Sequence, residues 1–142
     1  MVAKSRRPQA ERAAEWALHD MGCLFTRRAV RTKFTAVDFF GCDLIGVRCD
    51  GTRLWVQVTA GQTPAVLARR RKLETYPWHI SDQVYVWQLV ERQDVANPRR
   101  KDWHFRIWEY QVVGNEREWT DDIEPIHVPI HWFHRRSLTC GS

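Results

Sequence analysis

The order of periodic segments along the chain predicts an α/β (α+β) fold, a mixed central sheet flanked by helices in the order α-β-β-β-α-β-β. Three observations carry this expectation. An alanine-rich stretch near the N-terminus repeats at helical spacing. Two apolar strand patterns are joined by Asp50-Gly51, a hairpin dipeptide. A Thr-Pro helix start then separates them from two further strand patterns.

The first helix is defined by Ala10, Ala13, Ala14, Ala17 and Met21, with Leu18 alongside. Gly22, free to adopt the left-handed conformation that ends helices, is its expected stop. Leu24 to Arg31 reads as a strand and residues 32–41 as a loop or turn. Cys42 to Arg48 and Leu54 to Ala60 form the antiparallel pair around Asp50-Gly51, and Gly61 breaks the second strand. The second helix is expected from Thr63, as cap, and Pro64 through Arg69-Arg70-Arg71-Lys72 to Leu73. Val84 to Val90 is the next strand, and a basic loop around Asn97 to Lys101 leads to Trp103 to Tyr110. There Trp103, Phe105, Ile107 and Glu109 share one face, while His104, Arg106, Trp108 and Tyr110 share the other. The last thirty residues, punctuated by Pro125 and Pro129, show no assignable period.

A length of 142 residues suits a single domain, with a core over about 5–112 and an unassigned segment 113–142. Such a chain buries roughly two-thirds of its unfolded surface without disulfides or a metal. Hydrophobic residues make up 44% and charged residues 27%, a globular rather than a disordered balance. The net charge of +5 is unevenly placed: +5 over residues 1–33, −1 over 34–68, +4 over 69–101 and −3 over 102–142. Two basic zones flanking a neutral stretch suit a polyanionic partner or, equally, a solvated surface.

No apolar run approaches the ~20 residues of a membrane span. Met1 to Arg12 is basic without an apolar segment after it, so no secretory signal is expected. Cys23, Cys42, Cys49 and Cys140 form no CxxC pair, and thiols in a reducing cytoplasm are the expectation.

The central hairpin holds the informative polar residues. Asp43 stands among Cys42, Leu44 and Ile45, where a carboxylate is costly unless compensated, and a divalent metal is one compensation. Trp55, Gln57 and Thr59 point to one face of their strand, so that face is either solvent-exposed or a polar site. Elsewhere, His127, His131 and His134 have ligand-like spacing, which Pro129 interrupts. Asp38 is either a further ligand or a turn residue. Trp103, Trp108, Trp119 and Trp132 suit base stacking or a core.

Glu11 on the first helix, Asp43 in Phe40-Gly41-Cys42-Asp43-Leu44-Ile45 and the return strand's Gln57-Val58-Thr59, followed by a helix, resemble the PD-(D/E)xK nuclease core. With Ser5-Arg6-Arg7 before the helix, the likeness is greatest to the archaeal-type and phage Holliday-junction resolvase branch, over about residues 5–90. The resemblance implies a restriction-endonuclease-like core and a metal-dependent, structure-selective DNA endonuclease. It would work as a homodimer on branched DNA with Mg2+ or Mn2+, in the cytoplasm of a bacterial or phage-infected cell. By the same resemblance, Asp43, the Gln57 amide oxygen and the Val58 carbonyl are metal ligands. Glu11, or Glu15 one turn on, would hold a water on the metal or a second metal.

One position departs from the pattern: Thr59 stands where the family has lysine. Lys72, a neighbouring arginine or Lys33 is the expected substitute; otherwise the site does not cut. Phosphate contacts are expected from Arg6, Arg7, Arg27, Arg28, Arg31, Lys33, Arg69, Arg70, Arg71 and Lys72. The competing readings are an inactive DNA-binding protein of the same fold, a restriction-like or repair nuclease acting on other DNA, and a structural protein that oligomerises through its tryptophans.

Overall fold

Small side chains set how the first helix meets the sheet. In the computed structural model, which describes residues 7–31, 36–37, 42–93, 96–97, 101–121 and 123–134, helix α1 spans Arg7–Asp20. Ala10, Ala13, Ala14, Ala17 and Leu18 are all buried, which lets the helix lie close. It stops as expected, at Gly22 with φ 97°. The approach is tight enough that a Cβ on Gly46 would stand 2.7 Å from Cys23 Sγ and 3.3 Å from Leu18 Cδ1.

Strand β1 (Cys23–Arg28) is shorter than the sequence suggests, and Val30–Arg31 (β2) pairs instead with Ala36–Val37 (β3) in a separate ribbon. The β1–β4 pairing runs one bond past Arg28, the Ala29 N–H donating to the Asp43 carbonyl at 2.7 Å, before the chain turns to the ribbon. Strand β4 (Leu44–Arg48) and β5 (Arg53–Thr59) form the antiparallel pair around Asp50-Gly51. In that turn Asp50 Oδ1 accepts from the Thr52 N–H at 2.9 Å, and bonding to Thr52 holds its carboxyl below the ordinary value.

Helix α2 (Thr63–Leu73) crosses from β5 to the parallel strand β6 (Gln83–Gln93). Gln62, not Thr63, is its N-cap, and it makes no side-chain cap bond; Pro64 fits because the first turn's N–H groups need no helical partner. Strand β7 (Lys101–Val113) runs back antiparallel to β6.

The segment left unassigned by the sequence adds β8 (Glu116–Trp119), β9 (Ile123–Val128) and a 3-10 turn (Ile130–Phe133). Both strands pair with β7, β9 along its first half and β8 along its second. The result is a seven-stranded mixed sheet in the order β1-β4-β5-β6-β7-β8, with β9 also on β7. No helix among the described residues is long and apolar enough to cross a membrane.

The two faces of the sheet carry separate cores. On one, Leu44, Leu54, Val56, Val58, Trp87, Phe105 and Ile107 pack against α1. On the other, Trp55, Val84, Val86 and Trp108 pack with Val66 and Leu73 of α2. The alternation read along β7 holds, and Trp103, Trp108, Trp119 and Trp132 all pack on these two cores. Lys33, Asp38, Phe39 and Phe40 lie outside the described residues, as do Arg6 and the side chains of Arg7 and Arg31.

Candidate functional site

Strand β5 outruns its antiparallel partner. Leu44, the first residue of β4, faces Val56, so beyond that point β5 has no ladder on this side. Asp43 takes over there. Its N–H donates to the Val56 carbonyl at 3.0 Å, continuing the contact by backbone. Its Oδ2 accepts from the Val58 N–H and from Gln57 Nε2, both at 2.9 Å. Asp43 is 1% exposed and Gln57 5%. A carboxylate so buried is tolerated because strong donors replace water, and these two are among its partners.

Thr59, also buried, ends the strand by accepting the Gly61 N–H on Oγ1 at 2.9 Å. Of the two readings left open for the Gln57 and Thr59 face, solvent exposure is therefore excluded. Across the parallel pairing Thr59 faces Gln88. Gln88 Nε2 donates to the Gly61 carbonyl at 2.8 Å, while its Oε1 is buried without a hydrogen-bond partner. Sequence reasoning missed Gln88. The signal was present, since it is the lone polar residue between Val84 and Val90, as Gln57 is between Leu54 and Val58.

Glu11 and Glu15 are both buried, one turn apart on the same side of α1. Glu15 is committed to β1: it is ion-paired with Arg28 and accepts from Thr26 Oγ1 at 3.0 Å. That pairing sets α1 antiparallel to β1. Glu11 is therefore carried one turn further, toward the end of the sheet where Ala29 meets Asp43.

The basic residues divide. Arg28 is held by Glu15, Arg69 donates to the Ala65 carbonyl at 3.3 Å, and the Arg70 guanidinium lies over the Trp119 ring at 5.0 Å. Arg27, Arg71 and Lys72 are exposed. Lys72 belongs to the wrong end of α2 for Thr59. It lies nine positions after Thr63, about 13 Å along the helix axis. Glu74, just beyond, accepts from Trp119 Nε1 at 2.7 Å, and Trp119 stacks on Tyr110 at 4.8 Å. The register puts Tyr110 in line with Val84 and Trp55, at the opposite end of the face from Thr59.

His127 lies on β9 and His131 in the 3-10 turn, both lining a groove of about 530 Å³ with Lys101 and Trp103. Among the described residues no three His, Cys, Asp or Glu side chains converge as a metal-holding group. The histidine triplet therefore forms no such group, because Pro129 starts a new element and parts its members. At Asp43 the fit to a divalent cation is to two side-chain ligands, with the Val58 carbonyl the backbone member of the expected set. Magnesium commonly takes one or two carboxylates and leaves the rest to water and phosphate. Asp43 offers the carboxylate, and Gln57 would offer Oε1 only after its amide turned, since its donor end now faces Asp43.

Compared with protein-family models, with curated proteins and with solved structures, the chain matches none.

Proposed function

We propose that this protein is a metal-dependent, structure-selective DNA endonuclease with a restriction-endonuclease-like core, similar to the Holliday-junction resolvases. The observation that supports the reading best is the Asp43–Gln57–Val58 contact at the end of β5. Its setting agrees: α1, then β1, β4 and β5 antiparallel in order, then α2 crossing to a parallel β6. A bound Mg2+ or Mn2+ would neutralise phosphate charge and make a water a better nucleophile. Asp43, the turned Gln57 amide and the Val58 carbonyl would hold that ion, and Glu11 would hold a water on it or a second metal. Two sites in a two-fold homodimer would cut a four-way junction symmetrically.

The test compares a four-way junction with linear duplex in Mg2+ or Mn2+, for the natural chain and for Asp43→Asn. Paired symmetric cuts in the junction, lost in Asp43→Asn, are expected. A restriction-like or repair nuclease would instead cut linear or damaged duplex. Salt-sensitive binding of the junction without any cut would favour the second reading, a DNA-binding protein that has lost catalysis. Thr59 at the lysine position and the Gln57 amide donating to Asp43 support that alternative.

A further inference from the structure

Four aromatic rings stay partly exposed at the end of the sheet away from Thr59. Tyr76 and Trp78 follow the end of α2, Tyr110 lies late on β7 and Trp119 closes β8. Two guanidinium groups lie on them, Arg70 over Trp119 at 5.0 Å and Arg117 over Tyr110 at 5.9 Å. A slot of about 390 Å³ opens here, within the range of small-ligand sites. The loop after α2 supplies Tyr76, Trp78 and Ile80 to its lining, and the β7–β8 hairpin supplies Tyr110 and Arg117.

The polar atoms of these residues are tied to the protein itself. Trp78 Nε1 donates to the Leu73 carbonyl at 2.8 Å. Arg117 donates to the carbonyls of Tyr110, His79 and Asp82 at 2.7, 2.6 and 3.0 Å, which fastens the hairpin to the loop. Trp55 and Tyr76 meet Trp78 tilted, at 50° and 57°, so neither lies flat on its ring. The slot is therefore pre-formed, and it offers ring faces and a fixed guanidinium more than hydrogen-bonding edges. A flat aromatic ligand suits such a lining.

Charge narrows the ligand further. The last turn of α2, which leads into Tyr76, carries Arg70, Arg71 and Lys72, with Arg71 and Lys72 exposed. With Arg117 they outnumber Glu74 and Glu116 beside them. Aromatic faces set in a basic surface are how single-stranded nucleic acid is held, whereas stacked base pairs hide the faces of their rings. We propose that this slot takes an unpaired nucleobase of a DNA single strand. Every base has a π face, so the contact is tolerant of sequence. The slot is separate from the Asp43 contact, since Trp55, which touches Trp78, lies about 13 Å along β5 from Thr59. The inference rests on the DNA reading for its ligand and is independent of cleavage.

The experiment titrates tryptophan emission with an oligo(dT) of about ten nucleotides, within the span that single-strand sites cover, and with a duplex of that length. It compares the natural chain, Tyr76→Ala, Tyr76→Phe and the control Phe25→Ala, Phe25 being an exposed ring on β1. The single strand should bind more tightly than the duplex. Tyr76→Ala should weaken it about 5–150-fold, the loss of one stacked base. The slope of log affinity against log salt should stay unchanged, because a ring carries no charge. Tyr76→Phe and Phe25→Ala should keep the natural affinity. Irradiating the natural chain with a single strand bearing 5-iodouracil needs no variant, and its crosslinks should fall on Tyr76, Trp78 or Tyr110.

Crosslinks confined to other residues, natural affinity in Tyr76→Ala, or an equal loss in Phe25→Ala overturns the assignment. So does emission that responds to a proline-rich peptide and not to the oligonucleotide, since aromatic grooves also hold such peptides. Cutting of the junction without single-strand binding removes the slot's role and leaves the endonuclease reading standing. Single-strand binding that Tyr76→Ala weakens, with no cut in the junction, keeps the slot while the endonuclease reading fails.

Discussion

Replacing Asp43 by alanine tests whether this carboxylate is a member of the fold as well as of the site. The substitution removes an acceptor from two donors that have little access to water, the Val58 N–H and Gln57 Nε2. A buried donor left without an acceptor costs about 1–3 kcal/mol. The two together predict a loss of about 2–6 kcal/mol, a large share of the roughly 5–15 kcal/mol that holds a domain together. Urea unfolding followed by tryptophan fluorescence reads this directly, because Trp55 and Trp87 are buried in the two cores beside β5. The paired variant Gln57→Leu removes one donor in advance. In Gln57→Leu, Asp43→Ala should therefore cost about 1–3 kcal/mol less, a coupling that a double-mutant cycle isolates. A single substitution costing under about 0.5 kcal/mol, the range of a neutral surface change, would refute the reasoning, as would additivity in the cycle.

Other expectations follow from the same geometry. Gly46→Ala should destabilise by about 1–3 kcal/mol through overpacking, and Cys23→Ala should relieve much of it, because the new Cβ meets Cys23 Sγ first. Stability should fall at alkaline pH. Burial pushes the Cys23 thiol above its ordinary 9.0, and burial with the nearby Glu109 pushes the Tyr85 phenol above its ordinary 10.0. Both are raised, so the stabilisation is full below about pH 9 and is lost as the unfolded chain releases protons that the folded chain keeps. Urea midpoints across that range check the sign, and Tyr85→Phe should flatten the fall above about pH 10. If a divalent cation is held at Asp43, Mn2+ at about 100 times its dissociation constant adds about 2.7 kcal/mol to the natural chain. It adds nothing to Asp43→Ala; equal melting shifts in both would remove the cation from this place.

The central elements were legible because their signals are local. The alanine spacing of α1, the Asp50-Gly51 turn and the alternation of β7 each follow from neighbours in sequence. The cap falls on Gln62 rather than Thr63 because a Thr-Pro pair fits the first turn as well as the cap position. The strand predicted through Arg31 divides after Ala29 because Val30 and Arg31 pair with Val37 and Ala36 in a separate ribbon, a pairing that alternation along the strand does not reveal. Strand β9 escaped notice because Pro125 breaks its alternation, which an edge strand tolerates. At the site, Asp43 and Gln57 could be paired from hairpin register alone. The positions of Gln88 and Lys72 depend on which end of the sheet α2 starts from and on a further strand pairing. Composition carries neither.

The thirteen-residue β7 gives one edge of the sheet a particular character. Two short strands share that edge, and β9 contains a proline and meets an irregularity between Phe105 and Ile107. Such an edge offers no unbroken row of backbone donors and acceptors to an incoming strand. At the other end of the order stands β1, with Leu24 57% and Phe25 50% exposed. The sheet is thus polar in growth. Among the described residues, β1 is therefore better suited to pairing edge-to-edge with a second copy than the interrupted β8–β9 side.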